Sequence, residues 1–202
     1  MNTKERILDV SLSMFSTSGY EAVSIRDICG AVGIKESSLY YHFKNKQDIL
    51  DSLMLKYEDH VSSLLYFLQS ESVPNCTGSS LDWLDTCFFD QYLFDPFCNR
   101  TMRLMLIEQF HNERIREAYE RWLFVEPCQI QTSVFAMLAK IGLMSEADAT
   151  RMGRDFFATT TMLTFKYLLN GDLTQERKDA FRKEAHAYMG SFFAQLGGNN
   201  NA

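Results

Sequence analysis

The stretch Ser24–Lys46, SIRDICGAVGIKESSLYYHFKNK, decides how the chain is read. Ala22, Ile25, Ile28 and Val32 stand three, three and four residues apart, which puts them on one apolar helical stripe. Ser24 with Asp27 three residues on is a capping-box pattern, so a helix starts there. Gly33 ends it, because a sharp helix exit needs a left-handed residue and glycine adopts that without a Cβ clash. Ile34, Leu39 and Phe43 then give a second helix its inward face. Its opposite face carries Lys35, Glu36, Ser37, Ser38, Tyr41 and His42, donors, acceptors and cations suited to base edges and phosphate oxygens. Two short helices joined by a glycine turn, the second polar on its outer side, make a helix-turn-helix, whose second helix enters the major groove of DNA.

Before this stretch, Leu8, Leu12 and Phe15 with Ile7 predict a helix over 3–17 that packs on this pair as the third member of a bundle. On the other side, Asn45 with Asp48 caps a long helix whose apolar positions run from Ile49 through Tyr57 and Val61 to Leu68. The run ESVPNCTGSS over 71–80 is turn-forming. Ser79 and Asp82 cap an aromatic segment that Pro96 stops, and a further helical stretch follows over 97–109. The charged run from His111 to Leu123 is helical, and Pro127 stands at the start of a helix that Gly142 ends. Ser145 and Asp148 cap a helix over 146–170, Gly171-Asp172 is a turn, and Thr174 opens the last helix.

The run Ser24, Ile25, Ile28, Ala31, Val32, Gly33, then Leu39-Tyr40-Tyr41-His42-Phe43, then Lys46 and Leu50, resembles the DNA-binding domain of TetR-family transcriptional regulators. The resemblance covers about a quarter of the chain and implies an all-α protein of about nine helices. It would have a helix-turn-helix DNA-binding domain over 1–50, a helical ligand-binding and dimerisation domain over 51–197 and a disordered tail over 198–202. It also implies repression by promoter blocking, with an activator role left open.

The candidate DNA contacts are Ser24, Arg26, Lys35, Glu36, Ser37, Ser38, Tyr40, Tyr41, His42 and Lys46. Base reading falls to Lys35 through Ser38, and phosphate contact to Ser24, Arg26, Tyr41, His42 and Lys46; Tyr40 and Phe43 are first of all core-edge residues. Taken singly, each is also an ordinary solvated residue. One such helix covers few base pairs, so a homodimer on a palindromic double-stranded operator is expected. The stripes Met152, Phe156, Leu163 and Phe181, Ala185, Tyr188, Phe192 are the candidate two-fold interface, or else core within one chain. Trp83, Phe89, Phe110, Trp122, Phe135, Met137, Met162 and Phe165 are candidate lining for a small, largely apolar or aromatic effector, with plain core as the bland alternative.

The bulk numbers fit a globular chain: 202 residues, 46% apolar and 23% charged, with net charge −6. Residues 1–50 hold six Lys/Arg against six Asp/Glu, so the negative charge resides in 51–202. An acidic body behind a locally basic tip disfavours a non-specific architectural DNA binder. No apolar run approaches the roughly 20 residues of a membrane span, and the N-terminus lacks a signal-peptide core, so a cytoplasmic protein is expected. Five scattered cysteines with no C-x-x-C argue for reduced thiols, with no metal and no cofactor. An enzyme is not expected, because no Walker loop, G-x-G-x-x-G, G-x-S-x-G or H-E-x-x-H occurs. The alternative is a helical-bundle metal-binding protein or enzyme using Glu108 and His111, which have the i, i+3 spacing of helical di-iron ligands.

Overall fold

Capping chemistry starts the chain: the Glu5 N–H donates to Asn2 Oδ1 at 2.9 Å and the Asn2 N–H donates to Glu5 Oε2 at 3.1 Å. The computed structural model describes residues 2–69, 85–140, 142 and 144–198, with the side chains of 65, 67–69, 85–87, 138 and 191–198 excepted. Trp83, the Ser79–Asp82 cap and the tail beyond Gly198 lie outside the described residues, as does the side chain of Phe192.

Nine α-helices are described: α1 (Thr3–Ser18), α2 (Ile25–Val32), α3 (Glu36–His42), α4 (Lys46–Gln69), α5 (Pro96–Glu108), α6 (Glu113–Glu120), α7 (Glu126–Lys140), α8 (Glu146–Leu163) and α9 (Gln175–Gly198). Three stretches, Asp85–Leu93, Arg121–Val125 and Thr164–Leu168, wind with the wider π-type turn. No strand occurs among the described residues, so the all-α expectation holds.

The expected caps and stops are in place. Ser24 and Asp27 form the capping box of α2, and Gly33 ends that helix in the left-handed region at φ 76°. Asn45 accepts from the Asp48 N–H at 2.8 Å at the start of α4, and Ser145 accepts from the Asp148 N–H at 3.1 Å at the start of α8. Pro96 is the first residue of α5, where its missing N–H leaves no hydrogen bond broken. The expected helix over 146–170 changes pitch at Thr164, and the Leu169 N–H reaches five residues back to the Thr164 carbonyl at 3.0 Å. Thr160 and Thr164 donate their hydroxyls to the carbonyls of Phe156 and Thr160, at 2.9 and 2.8 Å, just where the ladder loosens.

The chain forms two compact units. The first is Met1–Ser63 with Pro96–Glu120, and the second is Leu64–Asp95 with Arg121–Ala202. This division differs from 1–50 against 51–197, because the segment 96–120 packs with the amino-terminal helices. In the first unit α5 lies along α1, and Arg100 pairs with Asp9 at 2.7 Å. Arg114 pairs with Asp51 of α4 at 2.9 Å. The core of this unit is Ile7, Leu12 and Phe15 of α1, Ile28 and Val32 of α2, Leu39, Phe43, and Ile49, Leu50, Leu53 and Tyr57 of α4. Val23 is buried and Ala22 exposed, so the apolar stripe of α2 enters the core one residue later than its spacing suggests.

In the second unit α7 and α8 lie side by side. Phe135 of α7 packs with Ala149, Met152 and Phe156 of α8 and Met189 of α9. Gly153 permits this approach, since a Cβ there would stand 2.9 Å from the Thr132 Cα. Phe89 meets Phe181 edge to face at 5.0 Å between ring centres, and Phe94 meets the same ring at 5.4 Å.

Gly153→Ala is expected to destabilise the protein by about 1–3 kcal/mol, since only backbone stands in the way of the new methyl. Denaturant unfolding measures it, and an unchanged midpoint would count against the close approach. The hydroxyl and amide of Ser24 hold the Asp27 carboxyl below its ordinary 3.8, and the Ser145 hydroxyl with Arg151 does the same for Asp148. A carboxyl lowered on folding contributes stability that is fully present above its unfolded pKa. That contribution is lost as pH falls through the lowered folded value. NMR titration should find both carboxyls below 3.8, and Ser24→Ala should bring Asp27 back toward it.

Candidate nucleic-acid interface

A seven-residue helix such as α3 has no stability of its own and takes its orientation from what it buries. Leu39 and Phe43 are fully enclosed, and the turn before α3 is closed by the Gly33 and Ile34 N–H groups donating to the Cys29 carbonyl at 2.9 and 3.0 Å. Arg6 of α1 reaches over and donates to the Val32 carbonyl at 2.8 Å, satisfying the open end of α2.

With the inward side fixed, Lys35, Glu36, Ser37 and Ser38 are exposed, Tyr40 is 52% exposed and Tyr41 85%. His42 is half-buried, with its ring edge-on to Tyr41 at 5.0 Å. Ser24 and Arg26 are exposed at the start of α2. The first turn of α3 thus presents a cation, a carboxylate and two hydroxyls in succession, able to donate to guanine, accept from cytosine, or do either. Tyr40, expected at the core edge, stands in solvent for half its surface.

Lys46, a phosphate candidate, has its ammonium engaged within the chain. Its ammonium donates to the carbonyls of Tyr20 at 2.8 Å and Val23 at 3.0 Å, and it lies 4.1 Å from the centre of the Tyr20 ring. In the link between α1 and α2 the Tyr20 carbonyl also accepts from the Val23 N–H at 3.3 Å, and the ammonium gives it a second donor and the Val23 carbonyl one. The Tyr20 N–H donates to Glu108 Oε1 at 2.8 Å, and its hydroxyl donates to Gln47 Oε1 at 3.3 Å. Burial raises the Tyr20 phenol above its ordinary 10.0, and the carboxylates of Glu21, Asp51 and Glu108 add to the rise.

Glu108 and His111 do not form half of a metal site. Glu108 is 5% exposed with its carboxylate on the Tyr20 amide, while His111 is exposed in the turn after α5. The i, i+3 spacing is interrupted because α5 ends at Glu108. Among the described side chains, Cys29, Cys98 and Cys128 form no disulfide, and burial pushes the Cys29 thiol up, with the charge of Glu36 adding to it.

The stripe offered as a two-fold interface is core within one chain. Met152, Phe156, Leu163, Phe181 and Ala185 are all buried without any second copy, and Tyr188 is half-buried. Met152 and Phe156 pack with Phe135 of α7 and Met189 of α9, with Tyr188 against them, and Phe181 packs with Phe89 of the Asp85–Leu93 segment. The effector candidates do not form one set. Phe89, Trp122 and Phe135 are buried in the second unit, while Met137 and Phe165 are half-buried there. Met162 is 51% exposed, and Phe110 is 82% exposed and belongs to the first unit, so neither is enclosed. Apolar spacing names an inward face but not the room around it.

Residues 7–53 match the family described as bacterial regulatory proteins, tetR family. The chain is 32% identical over 92 residues to the biofilm operon icaADBC HTH-type negative transcriptional regulator IcaR of Staphylococcus aureus (strain Newman). That match takes in 46% of this chain and 46% of the relative, so the chain spans about half the length of the curated relatives it matches. In fold it is similar to a candidate TetR-family transcriptional regulator from Mesorhizobium loti, with a TM-score of 0.67 at 18% identity, covering 95% of each chain. It is also similar to a transcriptional regulator from Aquifex aeolicus, with a TM-score of 0.65 at 17% identity over 93% of this chain and 99% of that one. The match lies across α1 to α4, where Gly33, Leu39 and Phe43 set the exposed helix, so over residues 7–53 the chain is similar to the tetR family of bacterial regulatory proteins.

Proposed function

We propose that the protein is a ligand-responsive transcriptional repressor that binds a palindromic double-stranded operator as a homodimer. The carrying observation is the outward face of α3: Lys35, Glu36, Ser37, Ser38 and Tyr41 are exposed around a core anchor at Leu39. The similarity of 46% of the chain to a negative transcriptional regulator supports repression. Among the described residues no helix is long and apolar enough to cross a membrane, which suits a cytoplasmic DNA-binding protein.

The division of roles follows the sequence expectation. Residues 1–50 read DNA, and the rest binds the effector and the second copy. With the apolar stripe of α8 and α9 committed to the core, the second copy takes the faces left open there. Those carry Met162 on α8 and Lys183, Ala187 and Gly190 on α9. The effector is small and largely apolar, held in the second unit near its aromatic residues Phe89, Trp122, Phe135 and Phe165. It releases DNA only to the extent that it binds the non-matching conformation more tightly.

Selection of duplexes from a random library, followed by titration at several salt concentrations, tests this function; enrichment of no two-fold sequence would refute it. Lys35→Ala and Ser37→Ala should change which bases are preferred, while Tyr41→Ala weakens every duplex alike. Lys46→Ala should lower the melting temperature and leave the salt slope unchanged, because its ammonium faces carbonyls. A slope smaller by about one would return Lys46 to the phosphate contacts. Ala187→Glu should shift the protein toward monomer in sedimentation at an unchanged melting temperature. Phe156→Ala should instead lower stability by about 3–5 kcal/mol.

A further inference from the structure

The link between α1 and α2 is held from two sides. Gly19 leaves α1 at φ 84°, and a Cβ there would stand 3.1 Å from Glu108 Oε1, so the carboxylate lies against bare backbone. Glu108 takes the Tyr20 N–H at 2.8 Å, and Lys46 takes the Tyr20 and Val23 carbonyls. Ser24, the first residue after this link, is the cap that starts α2. The glycine turn then ties α2 to α3, so the pose of the exposed helix depends on the conformation of residues 19–23.

Resting on the DNA-binding reading above, we propose that Glu108 is a positioning residue for operator recognition. It acts as a hydrogen-bond acceptor of the right reach, not through its charge. Its group is an amide N–H 88 positions away in sequence, a neutral donor that needs an oxygen at 2.8 Å. A buried backbone N–H left without an acceptor drives its segment toward another conformation. Loss of the oxygen therefore moves the link, and α2 and α3 with it. Glutamine keeps the oxygen and the length, aspartate keeps the charge and loses the reach, and alanine loses both.

The test uses the full chain and the duplex it enriches from a random library, with a scrambled duplex of the same length for comparison. Affinities are measured for wild type, Glu108→Gln, Glu108→Asp and Glu108→Ala, with NMR exchange of the Tyr20 amide alongside. Glu108→Gln should keep the ratio between the two duplexes within about twofold and keep the amide protected. Glu108→Asp and Glu108→Ala should lower that ratio about tenfold, the scale of one hydrogen bond, and expose the amide. If the alanine variant does not fold, the glutamine and aspartate pair decides. Retained discrimination in Glu108→Asp with loss in Glu108→Gln, or an equal loss on both duplexes that tracks melting temperature, would overturn the proposal. Failure of the wild-type chain to enrich any duplex would sink the DNA-binding reading, and the proposal with it.

Discussion

Burial of Leu39 and Phe43 decides what α3 shows to solvent. So short a helix gains little from its own hydrogen bonds, and most of its stability comes from the face it packs. Once those two side chains are enclosed, the helical repeat turns Lys35, Glu36, Ser37, Ser38 and Tyr41 outward. The polar chemistry of the surface therefore depends on an apolar contact beneath it. Electrostatics then works locally. The chain carries −6 overall, but screening over about 10 Å at 0.1 M salt lets a phosphate near α3 sense the tip more than the body.

What could be read from the sequence is whatever closes within four residues. The Ser24–Asp27, Asn45–Asp48 and Ser145–Asp148 caps each join a short polar side chain to an amide three positions on, and all are found. Gly33 and Gly142 end their helices with positive φ for the same local reason. The pitch changes at 85–93, 121–125 and 164–168 were not legible. A wide turn adds a residue without changing which residue types are apolar, so the spacing still looks helical.

Roles that depend on long-range partners were assigned by residue type and came out differently. Lys46 looked like a phosphate ligand because lysines near helix starts often are, yet its carbonyl partners lie 26 and 23 residues back. Glu108 looked like solvated charge, with a metal ligand as the alternative, and is a buried acceptor for a backbone amide. The stripe of α8 and α9 illustrates a deeper ambiguity. Core and interface call for the same apolar side chains at the same spacing, and only exposure tells them apart. Met152 and Phe156 are covered, and Met162 is open.

The first unit is assembled from two separated pieces of chain, Met1–Ser63 and Pro96–Glu120. On the ribosome, the amino-terminal helices emerge first but lack α5, whose Arg100 and Glu108 hold α1 and the following link. At about 5–20 residues per second, the nascent helix-turn-helix waits several seconds for that segment. Until then the side of α1 that meets α5 stays bare, a template for chaperones or for unwanted association.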